Sequence, residues 1–284
     1  MEDYFKPLYK THRKLDINDI QDNVFDPRLI ADEKEFQGFH LRYHDNQYWE
    51  IVELPGARIY PDTLSADQQK SLVSECIQEY LQSPEHLTNL DAHYALERPL
   101  RFFETDSPAT VLTAENSSKS ALMRNKIRWI TLGGQYNWTE KVYPSFTPGE
   151  KGCPIFPDNE ARAVANTFGI NAEAAIVNFY TQGDILSPHQ DVAELSKNDL
   201  ISMSLGCSSI FYLGAERYGY QPLPIVLRSG DIIVMGGESR DAWHGVGRIF
   251  KETCPDYLQN LDLGDGFQSW MKDRRININL RQMN

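Results

Sequence analysis

Cysteine, long apolar runs and a leader segment are scarce or missing in this chain of 284 residues. The four cysteines lie far apart and form no Cys-x-x-Cys pair, so they do not predict a disulfide framework, and we expect a reducing compartment. No apolar run approaches the roughly 20 residues of a membrane span, so we expect no membrane partner. The N-terminus, "MEDYFKPLYKTHRK", is acidic at once and lacks the apolar stretch of an export signal.

Positive charge is also scarce, since 28 Lys and Arg stand against 40 Asp and Glu and the net charge is -12. This balance argues against binding nucleic acid through the whole surface, because phosphate is attracted by clustered Lys and Arg. Residues 119–151 differ from the rest, because only Glu140 and Glu150 offset a set of basic residues: Lys119, Arg124, Lys126, Arg128, Lys141 and Lys151. The segment is a candidate nucleic-acid footprint, or else a solvated loop with scattered charges.

With 41% hydrophobic residues and no repeat or low-complexity tract, the chain is predicted to be globular. Ser65 and Gln68 form a capping-box pattern before an apolar stripe at helical spacing that ends at Pro84, which predicts an amphipathic helix. A shorter helix is predicted over 158–168, with Asp158 as its cap and Gly169 after its end.

From residue 173 onward, short β-branched and aromatic runs alternate with turn residues, as is typical of antiparallel strands. We therefore expect an α+β fold whose core is a double-stranded β-helix (jelly roll), with N-terminal helices packed on one sheet. The predicted division is an N-terminal extension wrapped on the domain (1–50), a helical and nucleotide-recognition lid region (51–172) and the jelly-roll core (173–284).

The segment "DILSPHQDVAEL" contains His189 and Asp191, a pattern that also fits an ordinary polar turn. His244 in "SRDAWHGVG" supplies a third candidate ligand after a predicted strand. Two histidines and one carboxylate form the facial triad of non-haem Fe(II) oxygenases, which leaves coordination positions open on one side of the metal.

The segment "RRININLRQ" predicts a strand with two different faces, because side chains alternate along a strand. Ile276, Ile278 and Leu280 would form the core face. The opposite face would carry two guanidinium and two amide groups, from Arg275, Asn277, Asn279 and Arg281. Buried groups of this kind need a partner, so the pattern indicates a bound anion, with a solvated edge strand as the alternative.

These segments together resemble the successive core motifs of the AlkB family of Fe(II)- and 2-oxoglutarate-dependent dioxygenases. The resemblance rests on "NFYTQGDILSPHQD", "SMSLGCSSIFYLG", "SGDIIVMGGESRDAWHG" and "RININLRQ", and it covers roughly residues 120–284. "RWITLGGQYNW" and the stretch between His244 and Arg275 are most similar to the eukaryotic AlkB homologue 1 branch.

The resemblance implies Fe(II), 2-oxoglutarate and O2 as cofactor and cosubstrates. It implies His189, Asp191 and His244 as catalytic iron ligands. It places the cosubstrate contacts at Asn178, Tyr180, Arg275, Asn277, Asn279 and Arg281, with Arg275 on the distal carboxylate. Trp138 and Tyr143 would stack on a flipped substrate base, or else pack the lid onto the barrel, and Arg217 would contact the substrate.

One position departs from the family pattern, because Ala193 stands where the demethylating bacterial members carry an acidic residue. We expect oxidative N-demethylation of methylated bases in tRNA or DNA, with release of formaldehyde, succinate and CO2. The alternatives are a protein (histone) demethylase or hydroxylase, and a nucleic-acid-binding homologue with weak or no demethylase activity but a lyase activity at abasic DNA sites. Such a lyase would need a Schiff-base lysine, for which Lys126 and Lys141 are candidates. We expect a monomer in the nucleus, with mitochondrion and cytoplasm as alternatives.

Overall fold

The computed structural model describes residues 3–20, 22–29, 32–45, 47–93, 96, 98–100, 102–103, 125–216 and 221–284. The helices in this part are α1 (Phe5–His12), α2 (Ala66–Glu75, continued by a π-helical turn over Cys76–Tyr80), α3 (Glu160–Thr167), α4 (Asp256–Gln259) and α5 (Phe267–Met271), with short 3-10 turns at Ile17–Asp19 and Gly237–Asp241. None of these helices is long and apolar enough to cross a membrane.

Thirteen strands are described: β1 (Lys34–Phe36), β2 (Phe39–His44), β3 (Tyr48–Ile51), β4 (Ala57–Tyr60), β5 (Trp129–Gly133), β6 (Ala174–Thr181), β7 (Leu186–His189), β8 (Leu200–Gly206), β9 (Ser209–Gly214), β10 (Leu223–Leu227), β11 (Ile232–Met235), β12 (Trp243–Ile249) and β13 (Arg274–Arg281). They form a nine-stranded sheet, ordered β1-β2-β3-β4-β11-β8-β13-β6-β5, and a four-stranded sheet, ordered β10-β9-β12-β7. All pairings between these strands are antiparallel, as expected for a jelly roll.

The predicted amphipathic helix is confirmed. The Ser65 hydroxyl accepts a hydrogen bond from the Gln68 backbone N–H at 3.2 Å, and the Gln68 side-chain oxygen accepts one from the Ser65 N–H at 3.1 Å. The cap satisfies two amides at the helix start. The predicted apolar stripe is buried in the main core: Leu72, Val73, Cys76, Ile77, Tyr80 and Leu81.

The second predicted helix is also present, but its cap is Asn159 and not Asp158. The Asn159 side chain accepts a hydrogen bond from the Arg162 N–H at 3.1 Å. Gly169 follows the helix with a φ of 74°, a left-handed conformation that costs a glycine little.

The N-terminal region is a correction to the sequence analysis. We expected residues 1–50 to be an extension wrapped on the domain, but β1 to β3 continue the nine-stranded sheet through β4, which pairs with β11. Alternation is incomplete in β1 and β2, which lie at the sheet edge, and β2 buries Leu41 alone. Strand β3 alternates, but over four residues only. Strands therefore lie on both sides of α2 in the sequence.

Helices contact both sheets. Helix α2 belongs with the main core, which includes the nine-stranded sheet. Helix α1 instead packs on the four-stranded sheet, where Phe5 meets Tyr212 edge-on at a ring-centroid distance of 6.3 Å. The Tyr9 hydroxyl also donates a hydrogen bond to the Leu186 carbonyl on β7 at 2.5 Å.

Candidate metal and cosubstrate site

Two strands of the four-stranded sheet bring the predicted metal ligands together. His189 ends β7 and is the direct antiparallel partner of His244 on β12. Their ring centroids are 4.3 Å apart. Asp191 follows β7 directly, and its two carboxylate oxygens lie 3.8 Å from Nε2 of His189 and of His244. The ligand atoms of all three residues lie within 4.8 Å of one another, which suits a single metal ion.

Each histidine is oriented by its other ring nitrogen. His189 Nδ1 lies 3.0 Å from the Ser187 carbonyl, and His244 Nδ1 lies 3.0 Å from the Ala242 carbonyl. Because a carbonyl only accepts, both Nδ1 atoms are the donors and both Nε2 atoms present a lone pair to the metal. Burial, with the charge of His189, lowers the pKa of His244 to about 4, so this ring is neutral at physiological pH.

Asp191 is held as a carboxylate. Its oxygen Oδ2 accepts a hydrogen bond from Arg281 Nη2 at 2.6 Å. Burial alone would raise the pKa of Asp191, but the Arg281 guanidinium and the two histidines outweigh it and hold that pKa well below its usual range. The charged form that a metal requires is therefore already present in the protein.

The nine-stranded sheet contributes the polar strand face that the sequence predicted. Ile276, Ile278 and Leu280 are fully buried in the core. On the opposite face Arg275 is 1% exposed, and it is paired with Tyr180 of β6 and Gly206 of β8. The interpretation as a solvated edge strand is wrong, because β13 lies inside the sheet between β8 and β6.

Arg275 is buried with most of its donors unused by the described residues. Nη2 donates a hydrogen bond to the Ser204 hydroxyl at 3.0 Å, while Nε, Nη1 and the hydroxyl of Tyr180 have no partner in the described part of the chain. The guanidinium lies over the Tyr180 ring at 5.4 Å, and burial lowers its pKa to about 10 and raises that of Tyr180 to about 12. Such donors fit the distal carboxylate of 2-oxoglutarate, which accepts several hydrogen bonds in a planar arrangement.

The other predicted cosubstrate residues are placed differently. Asn277 donates hydrogen bonds to the Ser202 hydroxyl at 2.8 Å and the Met203 carbonyl at 2.9 Å, so its amide N–H groups are used within the sheet. Asn178 is its direct strand partner. Asn279 lies half-buried on the same strand face. Arg281 binds Asp191 and therefore supports the metal ligand.

The predicted substrate residues Trp138 and Tyr143 differ in their exposure to solvent. Trp138 is 45% exposed and lies 4.9 Å from both Trp129 and Tyr136 in ring-centroid distance. Tyr143 is only 4% exposed, and its hydroxyl accepts a hydrogen bond from Arg281 Nη1 at 3.3 Å. Its ring thus packs within the protein, contrary to a role as an open stacking platform. Arg217 lies outside the described residues.

Three residues near the metal ligands were not predicted. Glu194 and Arg240 form a buried ion pair at 3.0 Å beside Asp191. Tyr136 lies between Trp138 and Tyr143, and its pKa is raised by burial and by the charge of Asp191. Glu194 is near Asp191 in sequence, but its role depends on Arg240, which lies 46 residues further along the chain.

Residues 56–281 match the family described as "2OG-Fe(II) oxygenase superfamily". The chain belongs to this superfamily. It is a dioxygenase that uses Fe(II), 2-oxoglutarate and O2, and the His-Asp-His group together with the unpaired donors of Arg275 and Tyr180 fits the metal and the cosubstrate.

Curated relatives cover most of the chain. The "N6-methyladenosine RNA demethylase ALKB1" of Pyricularia oryzae is 38% identical over 87% of this chain and 79% of its own. The "tRNA demethylase abh1" of Schizosaccharomyces pombe is 35% identical over 81% and 79%, and the "DNA N(6)-methyladenine demethylase ALKBH1A" of Arabidopsis thaliana is 32% identical over 82% and 76%. A solved structure, OsALKBH1, shares the fold with a TM-score of 0.52 at 20% identity, covering 85% of this chain and 99% of that one.

Proposed function

We propose that this dioxygenase removes N-methyl groups from bases in nucleic acid. When bound, Fe(II) and 2-oxoglutarate supply the oxidation by O2 that turns an N-methyl group into an N–H and formaldehyde, with succinate and CO2 as the other products. The chain's own residues hold the metal, orient the cosubstrate and keep the methyl group near the metal.

The main support for this proposal is a series of aromatic contacts that leads from the protein surface toward Asp191. Exposed Trp138 contacts Tyr136, whose ring lies 5.3 Å from that of Tyr143. The Tyr143 hydroxyl accepts from Arg281, which donates to Asp191. The exposed Trp138 ring is thus connected to a metal ligand through two tyrosines and one arginine. Such a ring is suited to stack on an unpaired base whose methyl group reaches the metal.

Charge near the site also favours a polyanion. A groove of about 570 Å³ is lined by Lys6, Lys10, Arg13 and Arg248 and by the β6–β7 turn at 182–185, close to His189 in sequence. Lys126, Arg128, Lys141 and Lys151 of the predicted basic segment are exposed as well. These exposed cations, in an otherwise acidic chain, would attract phosphates.

The names of three relatives agree on nucleic acid and differ on its type, since they name RNA, tRNA and DNA. Two of the names specify N6-methyladenine as the base or nucleoside. We propose methylated adenine as the base to test first, in tRNA and in single-stranded RNA and DNA. The proposed location is the nucleus.

Formaldehyde release tests the proposal. We expect formaldehyde and succinate from at least one methylated nucleic acid, neither from a methylated histone peptide, and neither with His189→Ala. Turnover confined to the peptide would overturn the proposal. Cleavage of abasic DNA that survives His189→Ala, without any formaldehyde, would favour the lyase alternative instead.

Trp138 offers a second test of the same proposal. Trp138→Ala is expected to raise KM for the methylated nucleic acid by the equivalent of about 1–3 kcal/mol, the worth of stacking one base on an aromatic ring. Trp138→Phe, which keeps a ring, is the matched control and should lose less. An unchanged KM in Trp138→Ala would exclude this residue from base recognition.

A further inference from the structure

Arg240 connects the two segments that carry metal ligands. It lies in the 3-10 turn Gly237–Asp241, just before β12 and His244, and is 4% exposed. Its guanidinium donates to the backbone carbonyl of Asp191 at 2.6 Å, to the carbonyl of Asn198 at 3.0 Å and to the carboxylate of Glu194 at 3.0 Å. One side chain therefore spans the loop after Asp191 and ties it to the turn that leads into His244.

Glu194 is the second member of this connection. Its side chain is 2% exposed, and its two oxygens are divided between two arginines: Oε2 accepts from Arg240, and Oε1 lies 2.9 Å from Arg281 Nε. Arg281 in turn donates to Asp191 Oδ2 at 2.6 Å. Two cations and two carboxylates thus alternate in the buried order Arg240, Glu194, Arg281, Asp191, and each charge faces an opposite one.

This arrangement determines how many oxygens of the Asp191 carboxylate are free of Arg281 and available to a metal. A guanidinium binds a single carboxylate with two parallel hydrogen bonds when nothing else competes for it. Glu194 occupies the Nε side of Arg281, so Arg281 reaches Asp191 through Nη2 alone. Nη1 donates to the Tyr143 hydroxyl. Without Glu194, Nε would therefore be the group released, and Arg281 could bind both oxygens of Asp191 through Nε and Nη2 and compete with the metal for them.

We propose that Glu194 and Arg240 are positioning residues of the iron centre. Arg240 fixes the backbone of Asp191 relative to His244, and Glu194 limits Arg281 to one oxygen of the Asp191 carboxylate. The inference rests on the metal site of the superfamily and not on the proposed nucleic-acid substrate, so metal binding tests it whether or not the protein demethylates bases.

Metal titration of Arg240→Met and Glu194→Gln, with two comparison variants, is the test. Mn(II) is titrated into folded, metal-free protein by calorimetry, and Co(II) absorption reports the ligand geometry. Arg240→Met and Glu194→Gln are expected to bind Mn(II) about 10- to 100-fold more weakly, as is usual when a partner of a metal ligand is removed. At saturating metal, KM for 2-oxoglutarate should stay unchanged, because Arg275 and Tyr180 are untouched.

Lys197→Met is the matched control. Lys197 Nζ pairs with Asp241 at 2.8 Å and so joins the same loop to the same 3-10 turn, but both side chains are largely exposed. Since exposed pairs contribute little, this variant should bind Mn(II) like the unmodified protein. Arg240→Lys, which keeps the charge without the three-way hydrogen bonding, should recover only part of the lost affinity.

A purely structural role would give a different result. Arg240→Met and Glu194→Gln would then lower the unfolding temperature while Mn(II) affinity and the Co(II) spectrum of the folded protein stayed as in the unmodified protein, and the inference would be wrong. If Arg240→Met does not fold, the nearly isosteric Glu194→Gln decides by the same two measurements.

Discussion

On the four-stranded sheet, His189 and His244 each donate a hydrogen bond to a backbone carbonyl two residues earlier in the chain. On the nine-stranded sheet, Arg275 and Tyr180 have donors that no described residue accepts. Both sets are polar and close to the core. Of the two, the second set lacks partners among the described residues, although a buried polar group without a partner is costly.

This difference indicates that the two halves of the site are prepared in different ways. The metal half is arranged before any ligand arrives, because tautomer, ring orientation and carboxylate charge are all fixed by protein contacts. The cosubstrate half is incomplete without an anion, which supplies the acceptors that the sheet does not. The following substitutions test that contrast, from the largest expected effect to the smallest.

Removal of a metal ligand is expected to have the largest effect. His244→Ala should weaken Mn(II) binding by more than about 100-fold, beyond the range usual for partners of ligands, and should abolish succinate formation. Calorimetry and a succinate assay measure the two effects. His40→Ala, which removes an exposed histidine paired with Glu53, is the control. Metal affinity retained in His244→Ala would place the metal elsewhere.

Arg275→Met should affect binding of 2-oxoglutarate and leave metal binding intact. We expect a loss of about 2–5 kcal/mol in cosubstrate binding, as for truncation of one partner of a buried charge pair. The ligand-free protein should be as stable as before or more stable, since an apolar side chain replaces a buried guanidinium whose donors are mostly unpaired. Cosubstrate titration and thermal unfolding test both halves of this prediction.

Arg281→Met sharpens the contrast with Arg275→Met. It removes the cation that contacts both the Asp191 and the Glu194 carboxylates. Two buried negative charges then lose this partner, so the ligand-free protein should lose stability. Equal unfolding temperatures for the two arginine variants would contradict the distinction between Arg281, which faces two carboxylates, and Arg275, which faces none among the described residues.

Tyr180→Phe is expected to have the smallest effect. It removes one hydroxyl that has no partner among the described residues, and with it one hydrogen bond to the cosubstrate, worth about 0.5–1.5 kcal/mol. KM for 2-oxoglutarate should rise modestly, by roughly tenfold at most, while Mn(II) affinity stays unchanged. A loss as large as that of Arg275→Met would mean that the ring, too, is displaced.

The sequence predicted the parts of the site that depend on alternation along one strand. The two faces of β13 follow from "RRININLRQ" alone, and the structure buries Ile276 and Arg275 on opposite sides of it. The triad was predicted from residue type and from resemblance. The direct pairing of His189 with His244 could not be, because register between strands more than 50 residues apart is a tertiary property.

Other features could not be predicted because they depend on contacts across the fold. Tyr143 and Trp138 are near neighbours in one polar loop, yet one is buried against Arg281 and the other exposed. Glu194 and Arg240 are ordinary charged residues until the loop after β7 meets the turn before β12. Strands β1 and β2 were missed since their edge positions weaken the alternation that identifies a strand, and β3 was missed because its alternation covers only four residues.

Titration of 2-oxoglutarate into Mn(II)-loaded protein, with Arg275→Met alongside, tests the central claim most directly. The structure predicts saturable binding to the unmodified protein, a rise in its unfolding temperature, and loss of both in Arg275→Met while Mn(II) is still bound. Equal 2-oxoglutarate binding by the two metal-loaded proteins would contradict the assignment of the buried Arg275 donors to the cosubstrate.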